Sequence, residues 1–150
     1  MTRIRKLRSE ELPEASRVLW TSYYAAENGK TSLEGMTTFR DLTEPLSLQM
    51  NAYQGDVLFY GAFEGETLIA VGAIKDRRHV LLLYVLPDRQ RGGTGSRLLH
   101  KLLSLSAVPD VTVNAAPDAV PFYEKHGFSV LSPLQIKDGI RFVPMSAKGK

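Results

Sequence analysis

The chain opens with a weak alternation over Arg3 to Leu7, the pattern of a short strand, and then changes period. Leu12, Ala15, Leu19, Tyr23 and Ala26 recur at helical spacing, with Ser9 placed to cap that helix, Pro13 in its first turn, and Asn28-Gly29 to end it. A second helix is expected from about Leu33 toward Arg40, and a third around Leu46 to Tyr53. From Val57 the texture becomes short apolar runs. Val57 to Phe63 and Thr67 to Ile74, joined by Glu64-Gly65-Glu66, read as a hairpin, and His79 to Leu86 as a third strand. The third run is apolar at both parities from Val80 to Val85, which predicts a central strand covered on both faces. Pro87 stops it. Gly92-Gly93-Thr94-Gly95 then leads into a helix whose Leu98, Leu99, Leu102, Leu103 and Leu105 form one buried face. Val111 to Ala115 is a further short strand, and a short helix runs from Pro117 through Tyr123 and Lys125 to Gly127. Phe128 to Leu131 and Ile140 to Met145 close the chain as two strands around an Asp138-Gly139 turn.

Composition narrows the class. The 150 residues are one domain's worth of chain, so a single domain over 1–150 is expected. With 43% hydrophobic and 23% charged residues the chain is of ordinary globular composition, and its longest apolar run, Val80 to Leu86, is far too short to cross a bilayer. Without cysteine there is no disulfide framework, thiolate metal site or cysteine nucleophile, and only three histidines remain as soft ligands. His100 and His126 fall on helices without a partner at ligand spacing, so both read as surface residues and no metal is implied. Met1 to Arg8 carries four basic residues but no apolar stretch follows, so it does not read as a signal peptide; a cytoplasmic location is expected. The net charge is +3, and it is gathered. Residues 1–50 balance seven basic against seven acidic side chains, whereas Leu86 to Lys101 sets Arg89, Arg91, Arg97 and Lys101 against Asp88 alone.

That basic segment contains the glycine loop. Glycines ahead of a helix expose backbone N–H groups at the positive end of the helix dipole, an arrangement that attracts phosphate. Neither a nucleotide-triphosphate loop nor a dinucleotide fingerprint fits: no lysine followed by Ser or Thr comes after the last glycine, and Arg97-Leu98 stands where the fingerprint needs its third glycine. What remains is Gln90-Arg91-Gly92-Gly93-Thr94-Gly95. This resembles motif A of the GCN5-related N-acetyltransferases, Gln or Arg, two residues, Gly, one residue, Gly or Ala, matched by Gln90, Gly93 and Gly95. Val113 to Phe128, with the aromatic pair Phe122-Tyr123 and the Gly127-Phe128 that opens the next strand, looks like the family's motif B. The likeness covers about Val57 to Met145; the helices before it match only in outline.

The resemblance implies an α/β (α+β) fold, a mixed and mostly antiparallel sheet flanked by helices, with two splayed parallel strands, His79 to Leu86 and Val111 to Ala115, forming the coenzyme cleft. It implies acetyl-coenzyme A as acetyl donor. By similarity the backbone N–H of Leu83 would polarise the acetyl carbonyl and Val85 would pair with the pantetheine arm. Arg91, Gly92, Gly93, Thr94, Gly95 and Ser96, after Gln90, would cradle the pyrophosphate, and Asn114 would hold the coenzyme arm or a water. Tyr123 stands at the family's general-acid position, where a phenol of ordinary pKa near 10 is protonated at neutral pH. For the base, His79 is the candidate, eleven residues before Gln90 as is the catalytic glutamate of the histone-acetylating branch. Glu27, Glu34 or ordered water are the alternatives. The implied acceptor is a primary amine, on a small molecule or a protein; a homodimer is possible in such a family. The rival is a non-catalytic sensor of acyl-coenzyme A, and nucleic-acid binding is disfavoured because a phosphate-bearing coenzyme already accounts for the local charge. Trp20, Tyr23 and Tyr24 read as core or rim packing on the first helix, with lining of the acceptor cleft as the alternative.

Overall fold

The computed structural model describes residues 2–147. Its elements, in order, are β1 (Thr2–Lys6), α1 (Leu12–Glu27), α2 (Leu33–Thr43), α3 (Pro45–Gln54), β2 (Val57–Glu64), β3 (Thr67–Lys75), β4 (His79–Val85), α4 (Thr94–Ser104), β5 (Thr112–Ala115), α5 (Val120–Lys125), β6 (Phe128–Val130), β7 (Gln135–Lys137) and β8 (Ile140–Ala147). The sheet runs β1-β2-β3-β4-β5-β8-β6, with β7 on another stretch of β8. All pairings are antiparallel except β4 with β5. A mixed, mostly antiparallel sheet flanked by helices is thus the observed architecture.

Strand alternation divides the core. Val71 and Ala73 of β3 pack with Leu12, Ala15, Val18 and Leu19 of α1 on one face, while Ala70 and Ile74 meet Leu98, Leu99 and Leu102 of α4 on the other. Burying each of those leucines contributes about 1.5–3 kcal/mol. Gly72 sets how closely α4 approaches, since a Cβ there would lie 3.0 Å from Leu102 and 3.1 Å from Leu98.

Three expectations are corrected. Ser9 does not cap α1; it lies in a 3-10 turn, Ser9–Glu11, and the Glu11 carboxylate accepts the Arg8 backbone N–H at 2.8 Å and the Arg5 guanidinium at 3.0 and 2.7 Å. The carboxylate thereby satisfies the Arg8 backbone N–H and faces two cations, Arg5 and the Arg8 guanidinium at 3.4 Å, and the Arg5 contact holds its pKa at about 2. The closing hairpin is also different. The Asp138-Gly139 turn joins β8 to the short β7, whereas Phe128 of β6 pairs with Ala147 at the far end of β8. β7 is three residues long and exposed, too short to show an alternation.

The third correction concerns β4. It is central, as read, but not covered on both faces: Val80 is buried, Leu81 is exposed, and residues 82–85 are half-buried. Its register with β3 slips opposite Ala73/Ile74, so that Val80 and Leu82 are paired and Leu81 is not. Its pairing with β5 stops after His79↔Thr112 and Val80↔Val113. A bulge bends a strand, and here the bend falls where the two parallel strands part.

Candidate active site

The split between β4 and β5 has two sides, and each is built by different means. On one side lies the glycine loop. Gln90 ties it to β4, its side-chain amide donating to the Val85 carbonyl at 3.1 Å. Arg91 and Gly93 both adopt left-handed backbone, at φ 79° and 80°, which turns the chain sharply into α4. The first intrahelical bond runs from Arg97 N–H to Gly93 O at 3.0 Å. The N–H groups of Thr94, Gly95 and Ser96, in the first turn, therefore have no acceptor within the helix. Nearby, Arg89 is taken by Glu64 at 2.8 Å and Arg97 by the Thr2 carbonyl at 2.9 Å, while Arg91 makes no ion pair among the described residues. The loop thus presents unpaired N–H donors and a cation, a set that fits a diphosphate.

Inside the split is a small cavity of about 70 Å³, walled by residues 80–84 of β4 and 113–116 around β5, with Ala119 and Tyr123. The Leu86 N–H donates to Ile69 of β3 at 2.9 Å. Because N–H direction alternates along a strand, those of Leu83 and Val85 turn the other way, toward the split, where β5 no longer pairs with them. Tyr123 is buried, its ring edge-on to Phe122 and Phe128 at 5.2 and 5.3 Å. Burial pushes its phenol further above the ordinary value of 10, so it stays protonated.

On the opposite side is a larger cavity of about 650 Å³. It shares Leu81, Leu82, Tyr84, Asn114 and Ala116 with the small one, so the two spaces meet at the split. Tyr23 and Phe39 stack at 3.8 Å, and Tyr84 lies edge-on to both, giving the cavity an aromatic wall. Burial raises the pKa of Tyr84. The outer edge is the β7–β8 turn, seated on α2. A Cβ on Gly139, at φ 81°, would collide with the backbone of Gly35, and the Thr38 hydroxyl donates to the Asp138 carbonyl at 2.7 Å.

His79 lines this larger cavity, half-buried, with Nδ1 2.8 Å from the Thr112 hydroxyl. Burial, and then the neighbouring Lys75 charge, lower its pKa below the usual 6.5, so the imidazole is neutral at pH 7 and able to accept a proton. Glu27 lines the same cavity, buried, 3.8 Å from Arg141. Glu34 is exposed on α2 and lines neither space. Leu83, Tyr123 and Asn114 therefore come together at the split with the loop beside them, and His79 and Glu27 are gathered on the far side. Of the first-helix aromatics, Tyr23 lines the cavity and Trp20 and Tyr24 do not.

Sequence reading missed Tyr84 and Arg141. Tyr84 was hidden in an apolar run, although its hydroxyl is the one polar tip between Val80 and Leu86. Arg141 carried a readable signal, a charged residue inside an otherwise apolar closing strand. His100 is exposed, as expected, whereas His126 is corrected: it lies just past the end of α5 and is half-buried. Their rings lie 5.5 Å apart, and His126 Nδ1 is 2.8 Å from the Phe122 carbonyl. Among the described residues no group of three or more His, Asp or Glu side chains gathers as a metal site, and no helix is long and apolar enough to cross a membrane.

No curated protein sequence matches the chain. Among solved structures, PaiA N-acetyltransferase from Thermoplasma acidophilum, in complex with coenzyme A, is 25% identical, with 99% of each chain covered and a TM-score of 0.79. A GCN5-related N-acetyltransferase from Rhodopseudomonas palustris is 18% identical over 98% of this chain and 95% of its own, with a TM-score of 0.84. Arabidopsis thaliana Naa50, in complex with the bisubstrate analogue CoA-Ac-MVNAL, is 15% identical over 98% of both chains, with a TM-score of 0.65; likeness at these last two identities speaks for the fold alone. The acetyltransferase (GNAT) domain model matches residues 27–148. With a split parallel pair, a glycine loop that ends in unpaired helix amides, and a family match over most of its length, the chain belongs to the GNAT acetyltransferases.

Proposed function

We propose that the protein, as a single domain in the cytoplasm, is an N-acetyltransferase that moves an acetyl group from acetyl-coenzyme A to a primary amine by direct attack in a ternary complex. The observation that carries this reading is the meeting of the two cavities at the split, beside inward-turned N–H groups of Leu83 and Val85. The relative in complex with coenzyme A supports the choice of donor. Bound there, the coenzyme supplies an activated thioester. The loop from Arg91 to Ser96 receives the diphosphate, Gln90 braces the loop, Val85 pairs with the pantetheine arm, and Asn114 steadies that arm from β5. The Leu83 N–H donates to the acetyl oxygen as negative charge develops on it.

The acceptor enters through the larger cavity. Its nitrogen forms a bond to the acetyl carbon as the carbon–sulfur bond breaks. His79, neutral at pH 7, takes the proton that the ammonium must lose before attack; Tyr123 gives its proton to the departing sulfur and is restored by the second proton, which the nitrogen sheds as the amide forms. The amide product and free thiol balance the reaction. No metal is required in this scheme. The test is coenzyme A release from acetyl-coenzyme A across amines, polyamines, amino acids and peptides, with donor binding measured separately by calorimetry. Turnover with at least one amine supports the reading. Tight donor binding without turnover of any acceptor overturns it in favour of an acyl-coenzyme A sensor.

A further inference from the structure

Arg141 and Glu27 form an unfinished contact in the acceptor cavity. The Glu27 side chain is 9% exposed and that of Arg141 30%, yet the nearest paired atoms, Arg141 Nη2 and Glu27 Oε1, stand 3.8 Å apart. That is an electrostatic contact but not a hydrogen bond. The Arg141 Nε is buried and has no hydrogen-bond partner. A guanidinium facing a carboxylate ordinarily closes into a two-pronged pair at 2.7–2.9 Å, and a buried N–H left without a partner is costly and uncommon. The backbone that carries it is fixed, with Arg141 in register opposite Ile136 and the turn beside it docked on α2, so the side chain springs from a set position on the cavity wall. A fork of N–H donors thus lines a cavity next to a carboxylate that does not satisfy it.

The rest of the wall favours the same kind of ligand. Lys75, Lys137 and Arg141 line the cavity against Glu27 and Asp138, so a purely cationic polyamine meets more positive than negative charge. A volume of about 650 Å³ is that of a small-molecule site, and the stacked Tyr23 and Phe39 with Tyr84 offer an apolar wall for a hydrocarbon frame. We propose that the acceptor is a small amino acid whose carboxylate is received by the Arg141 fork and whose ammonium is drawn by Glu27. Arg141 is then the specificity-determining residue of the acceptor site, a deepening of the acetyl-transfer reading on which it rests.

The test compares each of the common amino acids with its carboxamide and its decarboxylated amine, with coenzyme A release as readout. At least one amino acid is expected to exceed both matched compounds in kcat/KM by about 10²-fold, the upper end of what a hydrogen bond to a charged group contributes. Arg141→Gln is expected to collapse that ratio to near one, and Arg141→Lys, which keeps charge but not the fork, to restore only part of it. A merely structural arginine would lower all three compounds alike and leave the ratio intact, which overturns the proposal. So does equal or better use of the carboxamides or amines by the wild type, a measurement that stands even if the variants fail to fold, and so does preference for an acidic peptide over every free amino acid. Calorimetry separates the two levels. Donor binding without carboxylate preference removes this inference alone, whereas absence of acetyl-coenzyme A binding removes the acetyl-transfer reading with it.

Discussion

The two sides of the β4–β5 split differ in what their chemistry is made of. On the side we propose for the coenzyme most groups come from one contiguous stretch, residues 83–96, and are backbone, the N–H of Leu83 and Val85 and the first-turn amides of α4, with Asn114 and Tyr123 added from β5 and α5. On the side we propose for the acceptor the groups are side chains delivered by α1, α2, β3, β4 and β8, with Glu27 and Arg141 meeting across most of the chain. A backbone site tolerates almost any side chain and is sensitive to conformation. A side-chain site is the reverse, since it keeps its chemistry only while distant elements stay in register. Changes on the first side should therefore act on donor binding, and changes on the second on acceptor use.

The largest expected effect breaks the backbone side. Gly93→Trp places a bulky side chain on a left-handed position whose Cβ direction is open, so it meets no packed neighbour of the fold while it strains and blocks the loop. Loss of two or three charge-assisted hydrogen bonds should weaken acetyl-coenzyme A binding about 10⁴-fold by calorimetry; unchanged affinity would remove the diphosphate from the loop. Next, Tyr123→Phe should lower kcat about 10³-fold with donor affinity within twofold, because only the proton for the departing sulfur is lost. A kcat within threefold of wild type would take the acid role from Tyr123.

His79→Gln sharpens the other side, with an expected loss of about 10²-fold in kcat/KM. The sign with pH follows from its depressed pKa. The wild-type kcat/KM should fall as pH drops through a midpoint below 6.5, where the imidazole becomes charged, and the difference profile against the variant isolates this limb from the acceptor's own ionisation. Folding stability carries the same sign: the unfolded chain binds that proton at a higher pH than the folded one, so His79 costs stability as pH falls from 6.5 through the lowered value. A profile identical in wild type and variant would leave the base to water or Glu27. The smallest effect concerns the seat of the β7–β8 turn. Gly139→Ala forces a side chain onto left-handed backbone against Gly35, and should cost about 2 kcal/mol in urea unfolding. It should raise the acceptor KM and leave the donor affinity alone; equal damage to both would erase the distinction between the two sides.

Much of the coenzyme side was legible beforehand. Gln90, Gly93 and Gly95 announce a sharp turn and a helix start within six residues, and β4 was recognisable from its apolar run. The same run misled on covering: seven apolar residues look alike whether a helix packs over them or a bulge at Leu81 opens them to a cavity. The split itself has no sequence marker, since it depends on where β4 stops pairing with β5. Nor do the closing strands, where three exposed residues of β7 take the 140–142 stretch of β8 and leave β6 paired with its far end, residues 145–147.

What the sequence determined is therefore whatever is local: helix faces, strand runs, and a glycine turn whose backbone geometry follows from having no Cβ. Tertiary structure alone decided that Tyr84 looks into two cavities, that Glu34 stays outside while Glu27 is buried, and that Arg141 comes within 3.8 Å of Glu27 without closing on it. Those placements are set by sheet order, by one bulge, and by two glycines in contact, none of which has a periodicity to read; they arise when segments far apart in the chain compete for the same packing space.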